Sequence, residues 1–132
     1  MIAAVRRYLR DERGAAAAEF TLILPGLILF IFGFIHMCLM MSTVTRLHWA
    51  TEDAARCASV RSECKIEDDG DLVADKDLVE AWAEAKYAGY APATFAYAAA
   101  ACGHKVTADA DYPFSIPFYS HTFELSASAC FA

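Results

Sequence analysis

No aspartate, glutamate, lysine or arginine occurs from Phe20 to Met41 of this 132-residue sequence. These 22 residues would extend about 33 Å as a helix, and the hydrocarbon core of a bilayer is about 30 Å thick. The remainder, from Ser42 to Ala132, has few large aliphatic residues with which to build a core. This distribution predicts one transmembrane helix with a small polar exterior, and it disfavours a stand-alone globular enzyme.

Basic residues are also few, with 11 lysines and arginines against 17 aspartates and glutamates. Four of the arginines fall within the first 14 residues, whose net charge is +2, while the other residues carry −8. Because arginines beside an apolar span hold that end in the cytoplasm, we expect residues 42–132 to lie outside it. An acidic exterior disfavours nucleic acid as a partner, since such binding needs a basic surface.

The chemistry of metal sites and of catalysis is not visible in the sequence. It has no Cys-x-x-Cys pair, which disfavours zinc. The acidic segment Glu63–Asp71 lacks the spacing of a calcium loop, so we interpret it as a solvated loop. We therefore predict no catalytic residue, no metal and no cofactor. A module that binds ions or sugars is the weaker interpretation of this segment.

The cysteines indicate an oxidising compartment. One of the five, Cys38, lies within the uncharged run, and the other four lie on the outer side. An even number of cysteines in a small domain with a thin core favours two disulfides, formed in a compartment such as a periplasm. The four candidates are Cys57, Cys64, Cys102 and Cys130.

Among the three possible connectivities we prefer Cys57–Cys64 with Cys102–Cys130. The first two cysteines would be about 10.5 Å apart along a continuous helix, beyond the ~7 Å that a disulfide allows between Cα atoms. That bond therefore requires the helix to end near Arg61. If Cys102 and Cys130 lie directly opposite each other, apolar residues of one flanking strand fall opposite polar residues of the other. This bond therefore requires a bulge, which we place at Gly103.

The periodicity of apolar residues predicts an α+β fold. A helix is expected from Ala15 to about Arg61, continuing outside the membrane. A second helix is expected from Asp75 or Asp77 to about Ala88. The inner face of the first helix should carry Leu47, Ala50, Ala54, Cys57 and Ala58, and that of the second Leu78, Val79, Trp82 and Ala85.

The last thirty residues predict a small antiparallel β-hairpin. Residues 105–112 and 122–129 both alternate polar and apolar side chains. Pro113 and Pro117 are expected in the connection, because proline is excluded from a central strand. Residues 93–101 are rich in alanine, and the pattern does not distinguish a strand from a short helix.

The small residues of the N-terminal region stand before the apolar run and not after it, so a cleaved Sec-type signal is a poor fit. The segment from Arg13 to Phe20 resembles a type IV prepilin leader. In that family a membrane aspartyl peptidase cuts after a glycine, and a glutamate is the fifth residue of the mature chain. By this resemblance, cleavage after Gly14 would make Ala15 the N-terminus and Glu19 the fifth residue.

A carboxylate about one turn into hydrocarbon, as expected for Glu19, costs about 2–4 kcal/mol and marks a functional candidate. Cleavage would supply a partner, the α-amino group of Ala15. If neighbouring helices are staggered, Glu19 of one subunit could neutralise Ala15 of the next and set the register between subunits. The alternative is that Glu19 lies at the headgroup boundary, or is protonated, and has no such role.

Several further segments follow in an order and spacing that resemble the TadE family of pseudopilins, or minor pilins, of tight-adherence (Flp, type IVc) pilus systems. The resemblance implies a bacterial inner-membrane subunit that prepilin peptidase matures and that pilus assembly needs. The implied partners are other pilin or pseudopilin subunits, the inner-membrane assembly machinery and membrane lipid. The segments are Gly14 with its alanines, Glu19-Phe20, Pro25, Ala54-Ala55-Arg56, Val106-Thr107, Tyr112-Pro113-Phe114, Pro117 and residues 125–128.

The resulting hypothesis divides the chain into a leader (residues 1–14), a transmembrane and assembly helix (15–41) and a periplasmic pilin-like domain (42–132). The N-terminus is cytoplasmic, and the processed subunit initiates, caps or assists assembly of the pilus, into which it can be incorporated. The alternative hypothesis is an uncleaved single-pass membrane protein whose disulfide-bonded exterior binds another envelope protein.

Overall fold

The computed structural model describes the backbone of residues 12–132 and the side chains from residue 17 onward, so most of the predicted leader lies outside the described residues. The long N-terminal helix, α1, comprises Glu12–Val60 and contains Pro25. The chain divides between Ile35 and His36 into two compact units. The predicted helix is confirmed, and it ends within one residue of the expected position.

In the first unit the described residues all belong to α1. Among the described residues, one helix is long and apolar enough to cross a membrane; its most apolar window has a mean hydropathy of 2.5, and none of that window is buried. Phe20, Leu22 and Phe30 are each more than 60% exposed. A helix that is apolar on all sides and uncovered by its own chain is typical of a membrane span.

The second unit contains the end of α1, two antiparallel sheets and a second helix. β1 pairs with β2, and β3, β4 and β5 form a three-stranded sheet with β4 in the centre. The arrangement is α+β and pilin-like, as predicted. After α1 the elements are a 3-10 turn at Ser62–Cys64, β1 (Lys65–Asp68), β2 (Asp71–Ala74), α2 (Lys76–Lys86), β3 (Ala93–Ala100), β4 (Gly103–Ile116) and β5 (Tyr119–Phe131).

The core of this unit lies between the C-terminal part of α1, α2 and the three-stranded sheet. The α1 residues predicted to face inward are all fully buried. The buried hydroxyls of Thr43 and Thr51 are satisfied by α1 itself, where Thr43 Oγ1 donates to the carbonyl of Leu39 at 2.9 Å. Small alanines predominate on this face. The remaining buried residues include Val79, Ala83, Phe95, Val106, Ala108, Ala110 and Ala127.

Helix α2 begins where the sequence predicts, because the carboxylate of Asp75 accepts a hydrogen bond from the backbone N–H of Leu78 at 3.0 Å. Its inner face agrees with the prediction in part, since Val79 is buried and Trp82 packs against the core. Val79 and Ala83, one turn apart, are buried, whereas Leu78 and Ala85 are exposed. The prediction is therefore wrong at Leu78 and Ala85, because alanine and leucine at neighbouring positions do not distinguish adjacent faces of so short a helix.

The acidic segment is solvent-exposed as expected, but it is not a loop. It forms the β1–β2 hairpin, in which Asp68 pairs with Asp71 across a two-residue turn. Both turn residues have positive φ, 50° at Asp69 and 90° at Gly70. An Asp-Gly pair favours this kind of turn, and it forms a hairpin here despite the acidic side chains.

The sheet has one strand more than the predicted hairpin. Residues 93–100 form strand β3, which settles the ambiguity in that region. Pro117 lies in the β4–β5 turn as predicted, but the prediction for Pro113 is wrong, because Pro113 lies within β4 and pairs with Thr122. β3 leaves β4 at the Ala93–Ala110 pair, so Pro113 stands where β4 has only one neighbouring strand. A missing N–H is tolerated there.

Candidate assembly site

The N-terminal end of α1 carries the residues predicted to take part in processing. The backbone of Gly14 and Ala15 is helical and belongs to α1. Glu19 follows one turn after Ala15, on the same face of the helix.

The side chain of Glu19 is exposed, and it lies among exposed apolar residues of the first unit. Within residues 17–132, whose side chains the structure describes, Glu19 takes part in neither of the two salt bridges. The nearby hydroxyl of Thr21 donates to the carbonyl of Ala17 at 2.7 Å and so remains within the helix. Glu19 is thus an acidic side chain, accessible from outside, near the beginning of an apolar surface.

The end of α1 is held by a disulfide between Cys57 and Cys64, whose Cα atoms are 5.8 Å apart. The helix ends at Val60, and the 3-10 turn brings Cys64 back beside it. The backbone N–H of Arg61 donates to the carbonyl of Cys57 at 3.0 Å, which completes the last turn. The bond thus forms under the condition derived from the sequence, a helix end near Arg61.

The second disulfide joins Cys102 to Cys130, so the structure has the connectivity preferred from the sequence. The bulge predicted at Gly103 does not form. β4 and β5 pair in continuous register, with Lys105 opposite Cys130, and Cys102 lies in the two-residue turn before β4. Gly103 is nevertheless essential to the turn. Its φ is 110°, and an added Cβ would lie 2.3 Å from the carbonyl oxygen of Phe131.

A cluster of polar and aromatic side chains connects α2 to the end of α1. Trp82 Nε1 donates to Asp53 Oδ2 at 2.8 Å, and Arg61 Nη2 lies 3.7 Å from Asp53 Oδ1. The charged groups of Arg61 and Lys86 lie 5.2 and 4.8 Å from the Trp82 ring centroid. Trp82 therefore serves packing, as expected.

A groove of about 560 Å³ lies between α1 and the end of β5. Its walls include Trp49, Asp53 and Arg56 from the helix and Cys130 and Phe131 from the strand. It carries both signs of charge and is open to solvent. Among the described residues no group of three or more His, Cys, Asp or Glu side chains is placed to hold a metal ion.

Three tyrosines lie in apolar surroundings within the second unit. Burial raises the pKa of Tyr87, although the positive charge of Arg46 partly opposes the increase. Burial also raises the pKa of Tyr97, whose hydroxyl lies 2.6 Å from His104 Nδ1. Burial raises the pKa of Tyr112 as well, and Tyr90 adds to the effect. All three hydroxyls therefore remain protonated at neutral pH and act as neutral hydrogen-bonding groups.

Tyr112 connects the sheet to α1 and was not singled out from the sequence as a contact residue. Its hydroxyl donates to the backbone carbonyl of His36 at 3.1 Å, and its oxygen can accept from Nδ1 of the same residue at 3.2 Å. The ring of Phe114 lies 5.2 Å from that of His36. No local pattern in the sequence indicates this contact, which joins positions 76 residues apart.

These features define a class of protein: a long apolar N-terminal helix that continues into an α+β, pilin-like domain with two disulfides. The apolar helix and the disulfide-bonded domain suggest membrane anchoring with an extracytoplasmic domain.

Residues 14–56 match the family model described as TadE-like protein, which confirms the resemblance to this family over α1. The match begins at Gly14. The family is one of pilus structural proteins and not of enzymes, and the match is consistent with a component of a Tad pilus system. Comparison with curated proteins and with solved structures finds no match.

Proposed function

We propose that this chain is a minor pilin (pseudopilin) of a tight-adherence type IV pilus, cleaved after Gly14 by prepilin peptidase and active in initiation, capping or assembly of the pilus. One observation carries the proposal. Gly14 stands five residues before an exposed acidic side chain, Glu19, at the beginning of an uncovered apolar helix, and the TadE-like match begins at the same glycine.

The exposed apolar surface of α1 contacts lipid first and the helices of other subunits later. Before assembly the helix spans the inner membrane, with the N-terminus in the cytoplasm and residues 42–132 in the periplasm, and lipid covers the surface. During assembly the helices of other pilin or pseudopilin subunits replace the lipid. Because both environments are apolar, the transfer requires little change in the free energy of hydrophobic burial. Specific polar contacts then decide how neighbouring helices are aligned.

The polar contact that we propose is a charge pair between Glu19 and the α-amino group that cleavage creates on Ala15. The two positions are one turn apart on one helix face, so a neighbouring helix shifted along its axis brings its Ala15 amine beside Glu19. A buried ion pair of this kind contributes more to register than to net affinity. Residues 1–14 must be removed first, because an uncleaved chain has no amine at this position.

Replacing Glu19 by alanine tests the charge pair. The expected result is cleavage close to that of the wild type, because the change lies beyond the scissile bond, together with a loss of the chain from assembled pili. Both are measured in a strain that lacks the native copy, by immunoblotting of membranes and of sheared pili. Glu52→Ala, which removes an exposed carboxylate elsewhere on α1, is the matched control and should assemble normally. Unchanged piliation by Glu19→Ala would rule out the charge-pair mechanism.

A further inference from the structure

The β4–β5 hairpin ends in a segment that differs in composition from the rest of the exterior. We call residues 112–123 the hairpin tip. None of its twelve residues is aspartate, glutamate, lysine or arginine, although the exterior as a whole is acidic. Asp111 and Glu124 border the tip on both sides and are directly opposite each other in the register of β4 and β5. One pair of positions therefore separates a charged part of the hairpin from an uncharged part.

The tip begins at the level of a residue that belongs to the uncharged run of α1. Tyr112, its first residue, is fully buried and makes two contacts of 3.1–3.2 Å with His36. The opposite end of the same sheet lies near Ser59, whose hydroxyl donates to the carbonyl of Ala132 at 3.0 Å. The sheet thus follows α1 from Ser59 to His36, and β4 continues about 13 Å further in the same direction to Ile116.

Beyond Tyr112 the tip presents aromatic side chains to the outside. Phe118, in the turn, is 89% exposed and Tyr119 is 54% exposed. The ring of Phe123 lies 6.0 Å from that of Phe114 and 4.8 Å from that of His121, measured between centroids. Such exposure is unfavourable in water, whereas phenylalanine and tyrosine are stabilised at the boundary between headgroups and hydrocarbon.

We propose that the hairpin tip enters the interfacial region of the outer leaflet and is a second membrane contact besides α1. The proposal rests on the membrane anchoring of α1 proposed above. Lipid is the occupant that the geometry favours, because His36 belongs to the run that forms the span and the acidic pair at 111 and 124 marks where charge returns. The tip would hold the exterior at a fixed height on the membrane until the subunit is extracted, which must also withdraw these aromatic side chains from lipid.

Tryptophan fluorescence in nanodiscs containing one full-length chain each tests this proposal. The lipids are phosphatidylethanolamine and phosphatidylglycerol, with or without bromine on the acyl chains, which quenches nearby tryptophan. Phe118→Trp reports on the tip, and its signal is the emission added to that of Trp49 and Trp82 in the parent chain. Phe131→Trp, at the opposite end of β5, is the matched control, and Phe30→Trp reports on the span itself.

We expect the added emission of Phe118→Trp to be shifted to shorter wavelength and to lose most of its intensity in brominated lipid, while that of Phe131→Trp is unaffected. Quenching at Phe30→Trp without quenching at Phe118→Trp would overturn the proposal and leave the anchoring intact. Quenching absent at all three positions would overturn the anchoring as well. If the shift at Phe118→Trp appears only when several chains share a bilayer, the occupant is another subunit and not lipid, which also overturns the proposal.

Discussion

Tyr112 shows how much a single side chain contributes to the junction between the sheet and α1. Its ring is fully buried, and its hydroxyl is shared between the carbonyl and the ring of His36. Tyr112→Phe keeps the ring but removes these hydrogen bonds. We expect a loss of about 1–2 kcal/mol in the free energy of unfolding, measured by urea unfolding in detergent.

Tyr119→Phe is the appropriate control for this change, because it removes a tyrosine hydroxyl from a half-exposed position in the same hairpin. Its unfolding midpoint should remain close to that of the wild type. Equal stability of Tyr112→Phe and the wild type would mean that the contact with His36 contributes nothing to the fold.

The tyrosines also predict how stability depends on pH. Burial raises the pKa of Tyr87, Tyr97 and Tyr112 above the ordinary value of 10.0, so the folded chain retains protons that the unfolded chain releases. Their contribution is therefore complete below pH 10 and is lost as the pH rises through the folded pKa values. The urea midpoint should fall above about pH 10, and less steeply in Tyr112→Phe. A midpoint that is constant or rises in this range would contradict the assignment.

Among the elements, the β3–β4 turn depends most on a covalent bond. Cys102 and Cys130 are 28 residues apart in sequence, and both are exposed. Replacing both by serine therefore leaves the core unchanged and removes a constraint on the unfolded chain, for an expected loss of about 3–4 kcal/mol. Thermal unfolding in detergent measures the loss, and Ala101→Ser in the same turn is the control. An unchanged midpoint would show that the sheet holds this turn without the bond.

The elements differ in how far the sequence could predict them. The buried face of α1 recurs over about three turns, from Leu47 to Ala58, so its periodicity was unambiguous. The β1–β2 hairpin depends on two turn residues within a strongly charged segment, and its Asp-Gly signal was given too little weight. Pro113 was misplaced because the rule against proline applies to positions paired on both sides, and the point where β3 ends is a tertiary property.

The parts of the site that lie within one short segment could be predicted from the sequence. Contacts between residues that are distant in sequence could not. The spacing of Gly14 and Glu19 can be read directly, and so can the even number of outer cysteines. The bond between Trp82 and Asp53 joins positions 29 residues apart, and the contact of Tyr112 with His36 joins positions 76 apart. No local pattern specifies such contacts, because they depend on how α2 and the sheet dock on α1.

In the proposed function, α1 occupies two environments in succession, and the second unit lies on one side of the membrane. The span, the exposed apolar surface and the oxidised exterior are consistent with a subunit that remains in the membrane until assembly. In the proposed function, removal of residues 1–14 connects the two states. Without it the chain would carry its arginines into an apolar assembly, at a cost of several kcal/mol for each charge left without a partner.

The measurement that tests this account most directly is the intact mass of the chain, purified from membranes and from sheared pili of cells that contain or lack prepilin peptidase. With the peptidase, the account predicts a chain that begins at Ala15 and gains four hydrogens when its two disulfides are reduced. Without the peptidase, residues 1–14 should still be present and the chain should be missing from pili. A chain that still carries these residues within pili of peptidase-containing cells would contradict the account and favour an uncleaved membrane protein.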